Sequence, residues 1–394
     1  MPAGFLFSIN SDKIPNPLDT IIPCVHDGIF SVLVNKSWAK ELPSILGDHV
    51  CMQPGDNIYF FGKRTIYGIG EIIDVLGEGD GAFEVTRGSS SPRYEPQANG
   101  PQAEENDKGR IKRWALAFKP SPYFFTDGID MDDLLLSNPA AFRSLRTFHK
   151  RSFIQFDDEE NRAFRAAFLR KFEHVLSDAD LQSDTTIPCG YENTIDRIRN
   201  NKMPGIEASP IDLTSLFLHY RTGERLRIEM PVEIGLLHAL RHGEPSAIEA
   251  FGSWDYLAHQ VHASPFKPIE YMNKIDVFGY RWIRGCEEKV ISKYLIVEIK
   301  CGAAQLADTS PVKDYDQLMK YVDWVCTQYA HGDYSMIEAY LLAQSFDFSS
   351  CRCMEEATKR SYVIGHEAKT QYWDNFNCAT YRLTPEGTLV FERI

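Results

Sequence analysis

Residues 1–77 carry short runs in which apolar positions are bounded by turn residues. Gly4-Phe5-Leu6-Phe7-Ser8-Ile9, Asn57-Ile58-Tyr59-Phe60-Phe61-Gly62 and Ile66-Tyr67-Gly68-Ile69-Gly70-Glu71-Ile72-Ile73 read as strands. Lys63-Arg64-Thr65 links the last two at hairpin length, and Pro54-Gly55-Asp56 reads as the turn before them. Several short strands of this kind predict a small β-barrel or sandwich. From 78 to 109 Gly, Ser, Pro, Asn, Gln and charged residues dominate, which predicts a long mobile loop. Strand character resumes at Ile111-Lys112-Arg113-Trp114-Ala115-Leu116-Ala117-Phe118. A short helix is expected over 130–136, a strand over 152–156, and a helix from Asp157 to about Leu176. That last helix opens on Asp157-Asp158-Glu159-Glu160 and closes near Arg170, Lys171 and His174, the charge order its dipole prefers.

The pattern changes past 176. Residues 177–225 read as a linker with some helix, interrupted by Met203-Pro204-Gly205 and Ser209-Pro210. From about 226 helices and strands alternate. Pro231 to Leu240 forms an amphipathic helix, with Pro231 acceptable in a first turn, and Ile248 to Ala258 reads as a second helix. Strands are expected at 274–283 and 291–300, a helix at 313–329 and a strand at 335–343. The tail (361–394) mixes strand-like and turn-like pieces. The predicted division is a domain at 1–176, a linker at 177–225 and an α/β domain at 226–394, which suits a 394-residue chain at ~150 residues per domain.

Composition narrows the function classes. A net charge of −13 excludes a generally basic nucleic-acid coat but leaves room for local basic grooves, and metal-binding carboxylates would add to the acidity. The chain has no apolar run of about 18 residues, and its start carries neither a basic nor an apolar leader segment. A cytoplasmic protein without a membrane span is the expectation. Nine cysteines, an odd number scattered through the chain, read as free thiols in a reducing compartment.

The chemistry concentrates in two segments. Lys274-Ile275-Asp276-Val277-Phe278-Gly279 is a strand with one acid. Lys293-Tyr294-Leu295-Ile296-Val297-Glu298-Ile299-Lys300 stays apolar until it delivers Glu298 and Lys300, which alternation puts on one face. Pairing of these strands would bring Asp276 beside Glu298. Two carboxylates on adjacent strands make a hard oxygen site suited to Mg²⁺, with Mn²⁺ as a substitute. Lys300 beside them suits an attacking water or charge on a phosphate, so phosphodiester hydrolysis fits the set. His238 and His242, four apart on a helix, lack a third ligand and read as core or surface residues.

Asp276 followed by Glu298-Ile299-Lys300 resembles the core motif of the PD-(D/E)XK nuclease superfamily, with Ile275 where the motif has proline. The resemblance covers roughly 226–346. It implies a restriction-endonuclease-like αβββαβ core around a mixed sheet, with Asp276, Glu298 and Lys300 catalytic and Asp276, Glu298 and Glu233 holding the metal. Glu229 competes with Glu233 for that place. Asp316-Gln317-Leu318-Met319-Lys320-Tyr321 resembles the Gln-x-x-x-Tyr helix of RecB-like members and implies that Gln317 and Tyr321 support Lys300 or a phosphate.

The first domain, with Pro54-Gly55-Asp56, Tyr67-Gly68-Ile69-Gly70-Glu71-Ile72 and Arg151-Ser152-Phe153-Ile154-Gln155-Phe156-Asp157, resembles EVE-type domains of the PUA-like group. That implies a PUA-like β-barrel with flanking helices and an aromatic pocket for a nucleic-acid base. Trp38, Trp114, Phe118 and Tyr123 are its expected walls, or else they fill the barrel core. Arg146 and Lys150 lie in a basic segment (143–151) that reads either as a phosphate contact or as a solvated helix end. The combination resembles modification-dependent restriction and phage-defence nucleases, Shedu-type proteins among them. It implies DNA as partner and a homodimer or larger homo-oligomer. Three other readings stay open on the same fold: a binding or scaffold protein with a vestigial site, a nuclease for RNA or single strands, and a first domain that senses a protein or small nucleotide and gates the second.

Overall fold

The structure, a computed structural model, describes residues 2–9, 15–34, 42–88, 110–147, 152–200, 206–223, 225–265, 273–307, 313–348 and 353–394. The chain forms two compact units, Met1–Asp212 and Leu213–Ile394. Both are mixed α/β, and each is built on a mixed sheet.

Among the described residues, the first unit holds nine strands in one sheet. Its main path runs Ile206–Ser209, Ala82–Gly88, Arg110–Pro120, Thr65–Ile73, Asn57–Gly62, Gly4–Ser8, Phe153–Phe156. Gly4–Ser8 runs parallel to Asn57–Gly62 and the other pairings are antiparallel. Asn57–Gly62 is buried at every position, which explains why it reads as a continuous apolar run instead of an alternating one. Lys63 and Arg64 close its hairpin at φ 49° and 68°, the mirror turn that matches strand twist. The helix Asp158–Lys171 begins where Asp157 accepts from the Glu160 N–H at 2.8 Å, and its Phe164 and Phe168 join a core with Leu6, Tyr59 and Phe156.

Two expectations fail in this unit. The stretch 78–109 is not loop throughout: Ala82–Gly88 is a strand paired with Arg110–Pro120, and the pairing buries even Glu84. Residues 89–109 lie outside the described residues. The linker expected at 177–225 is divided between the units. Thr186–Ile187 pairs with Phe124–Phe125, Ile206–Ser209 pairs with Ala82–Gly88, and the helix Tyr191–Arg199 buries Ile195 and Ile198 in the first unit.

Among the described residues, the second unit contains a six-stranded sheet in the order Tyr256–His262, Lys274–Trp282, Ile291–Ile299, Ile337–Ala343, Phe376–Leu383, Leu389–Arg393. The first three strands are antiparallel neighbours. Ile291–Ile299, Ile337–Ala343 and Phe376–Leu383 run parallel, and the last strand turns back. Met230–Arg241 packs on the first two strands, and Asp314–Gln328 packs on the third and fourth. Gly235 lets the first of these helices sit close, since a Cβ there would lie 2.4 Å from Leu389 Cδ1. The second helix expected at 248–258 is Pro245–Phe251. Gly252, at φ 78°, ends it, and residues 256–258 instead open the first strand of the sheet. The described cysteines are free thiols, and among the described residues no helix is long and apolar enough to cross a membrane.

Candidate metal and catalytic site

The site grows from the point where two antiparallel strands stop sharing backbone hydrogen bonds. Val277 pairs with Val297, and Asp276 and Glu298 stand one step beyond. There Asp276 Oδ2 accepts from the Ile299 N–H at 2.8 Å, so a side chain continues the ladder. Apolar Tyr294 to Val297 buries the strand that carries Glu298, which is itself 1% exposed. The Lys300 N–H donates to the Leu342 carbonyl at 2.8 Å and holds this strand end on its parallel neighbour.

Lys300 and Glu298 do share a face. Lys300 Nζ donates to Glu298 Oε1 and, at 3.2 Å, to Gln317 Oε1. Gln317 Nε2 in turn donates to Tyr321 Oη at 2.9 Å, as the helical spacing requires. Asp314, at the start of that helix, accepts from the Gln305 N–H at 2.5 Å and clips the helix to the loop that follows Lys300. Glu229 Oε1 lies 3.9 Å from Lys300 Nζ. The Lys300 side chain keeps 18% exposure.

Glu233 completes the acids. The helix Met230–Arg241 buries it to 1% exposure, and both of its oxygens are engaged. His259 Nδ1 lies 3.1 Å from Oε1, and Gln260 Nε2 donates to Oε2 at 3.0 Å. The same Gln260 nitrogen donates to Asp276 Oδ1 at 3.1 Å. Sequence reading missed His259 and Gln260. Residues 248–258 look helical, and two polar residues at the next positions give no periodic signal.

The electrostatics follow from packing acids together. Burial pushes the Asp276 carboxyl well above its usual range, and Glu298 and Glu233 push it further. Burial raises Glu298 to about 7, with Lys300 pulling against it. Burial disfavours the Lys300 ammonium, but Glu298, Glu229 and Asp276 outweigh that and raise its pKa. Three acids, Glu298, Glu229 and Asp276, thus surround one ammonium.

Such a set fits a divalent cation. Glu298 Oε2 is buried without a hydrogen-bond partner, an acceptor oxygen beside a second carboxylate. Among the described residues no three His, Cys, Asp or Glu groups converge as a finished ligand set; Glu233 has its oxygens on His259 and Gln260.

The nucleic-acid contacts expected in the first unit fare differently. Trp114 and Phe118 are 2% and 0% exposed. Burial this deep puts their rings in the core: Trp114 pairs with Val32 and Glu84, and Phe118 pairs with Ile72 and packs on Phe60 and Phe124. Tyr123 is half-buried and donates to Gln182 Oε1 at 3.1 Å. Trp114 and Phe118 are therefore not pocket walls. Arg146 is exposed and donates to the Pro139 carbonyl. Trp38 and Lys150 lie outside the described residues. Comparison with protein-family models and with curated proteins found no match.

Proposed function

We propose that this chain is a divalent-metal-dependent phosphodiester hydrolase acting on DNA. One observation carries the reading: Lys300 bonds Glu298 and Gln317 together, at the strand end where Asp276 caps Ile299. Asp276 and Glu298 are the residues that would hold Mg²⁺ or Mn²⁺, with Glu233 behind them. When bound, such a cation supplies Lewis-acid stabilisation of charge on a phosphate oxygen. Lys300 orients an attacking water or stabilises the developing phosphate charge. Gln317 fixes the direction of the ammonium, and Tyr321 fixes Gln317.

The order of elements supports a restriction-endonuclease-like core with one added helix: the helix with Glu233, the helix Pro245–Phe251, three antiparallel strands, a helix with Gln317, then a parallel strand. The first unit, on this reading, has a PUA-like barrel and senses a nucleic-acid feature. Its role would be modification-dependent restriction or phage defence. Cutting both strands needs two active sites, so a homodimer or larger assembly is expected.

The test is a digestion panel of modified DNA, unmodified DNA and RNA, run with Mg²⁺, with chelator and with Lys300→Ala. Metal-dependent cutting of DNA, lost in the variant, supports the proposal. Cutting of RNA alone moves the substrate to RNA, and no cutting of any substrate leaves a binding protein.

A further inference from the structure

We propose that Gln260 is a positioning residue that couples Glu233 to Asp276, so that Glu233 acts on the cation site through an amide and not by touching the ion. This rests on the metal-site reading above. A primary amide nitrogen carries two hydrogens, and Gln260 spends both on carboxylates, Glu233 Oε2 at 3.0 Å and Asp276 Oδ1 at 3.1 Å. A neutral group thereby holds two acids apart without adding charge. With Asp276 Oδ2 on the Ile299 N–H, each Asp276 oxygen has one donor, which fixes the rotation of the carboxylate. A second lone pair on each oxygen remains for a ligand. Outer partners of this type orient metal-binding carboxylates.

The backbone carries the second, independent observation. Gln260 has φ 53° inside the strand Tyr256–His262, a conformation that non-glycine residues rarely adopt. The regular pairs His259–Val277 and Val261–Ile275 flank it, which puts Gln260 across from Asp276. Adjacent strand residues normally point to opposite faces, yet His259 and Gln260 both reach Glu233. The left-handed residue is what lets both turn to one carboxylate. Strain of this kind gathers where surrounding groups over-determine a conformation, and here those groups are the site acids.

Two substitutions in the full-length chain test the proposal. Gln260→Met keeps the length and removes the donors; Gln260→Gly accepts the positive φ and removes the side chain. Mn²⁺ binding is measured by calorimetry without nucleic acid, and Mg²⁺ dependence is measured in the cleavage assay. Both variants should weaken Mn²⁺ binding by about 10–100-fold. Their cleavage rates should recover at raised Mg²⁺, a shift in metal requirement with little change in kcat. A purely structural Gln260 would instead lower Tm and leave Mn²⁺ affinity unmoved. Affinities within about twofold of the wild type in both variants overturn the proposal. So does a loss confined to one variant, which assigns the effect to packing or backbone. If wild type binds Mn²⁺, both variants lose affinity, and nothing is cleaved, the hydrolase reading falls and the positioning role stands. If wild type binds no Mn²⁺, both fall.

Discussion

Each unit buries a glutamate, and the two are finished differently. Glu160 in the first unit is fully buried, and its two oxygens accept from the Ser144 and Leu145 N–H groups at 3.1 and 2.9 Å. It ties the turn Leu145–Thr147 to the helix Asp158–Lys171. Glu298 in the second unit is just as deep, but one oxygen goes to Lys300 and the other has no partner. Burial raises both, Glu160 to about 8 and Glu298 to about 7. A raised carboxyl is therefore not the mark of a site here. An unfilled acceptor beside a lysine is not the mark either, since Glu84 with Lys112 in the first unit has both; what sets Glu298 apart is that Asp276 stands beside it and its lysine is also tied to Gln317.

The largest expected effect separates the two acids by activity. Glu298→Gln, Asp276→Asn and Lys300→Ala should each lower cleavage by about 10²–10⁴-fold, while Glu160→Gln should leave the rate per folded molecule unchanged. A loss of similar size in folded Glu160→Gln would break the comparison. Stability should show the converse. Glu160→Ala strands two backbone donors and should destabilise the first unit by about 1–3 kcal/mol in denaturant unfolding.

The pH dependence sharpens the contrast. Glu298 and Glu160 titrate in the fold at about 7 and about 8, against an ordinary 4.5. Between those values the folded chain keeps protons that the unfolded chain has released. Both acids thus contribute stability that is present below pH 4.5 and lost as pH rises through 7 and 8. Mg²⁺ needs the ionised carboxylate. At tenfold excess over Kd it should restore about 1.4 kcal/mol at pH 8 and little at pH 5, in wild type and Glu160→Gln but not in Glu298→Gln, as read from Tm. The smallest effect belongs to Tyr321→Phe. It removes one hydrogen bond to Gln317 and should slow cleavage by roughly fivefold, about 1 kcal/mol.

Much of the second unit is legible in the chain because its signals are local. An apolar run that ends in Glu298 and Lys300 states its own alternation, and Gln317 and Tyr321 meet at helical spacing. Gln260 is invisible for the opposite reason: its role depends on a left-handed backbone and on partners in two other elements. The first unit misleads where aromatics are plentiful. Trp114 and Phe118 have the chemistry of a base-stacking wall, but only their burial in the fold reveals that they fill the core. Ala82–Gly88 and Ile206–Ser209 escape notice because each gains its apolar surroundings from pairing, not from its own residues.

The most direct measurement is chelator reversal on circular duplex DNA. Wild-type chain is stripped with EDTA, returned to excess Mg²⁺ and followed by nicking and linearisation, beside Asp276→Asn treated in the same way. The expected result is cleavage that stops with EDTA, returns with Mg²⁺ and never appears in the variant. Cleavage that persists in EDTA, or that Asp276→Asn performs at the wild-type rate, would contradict a cation held by Asp276 and Glu298 beside Lys300.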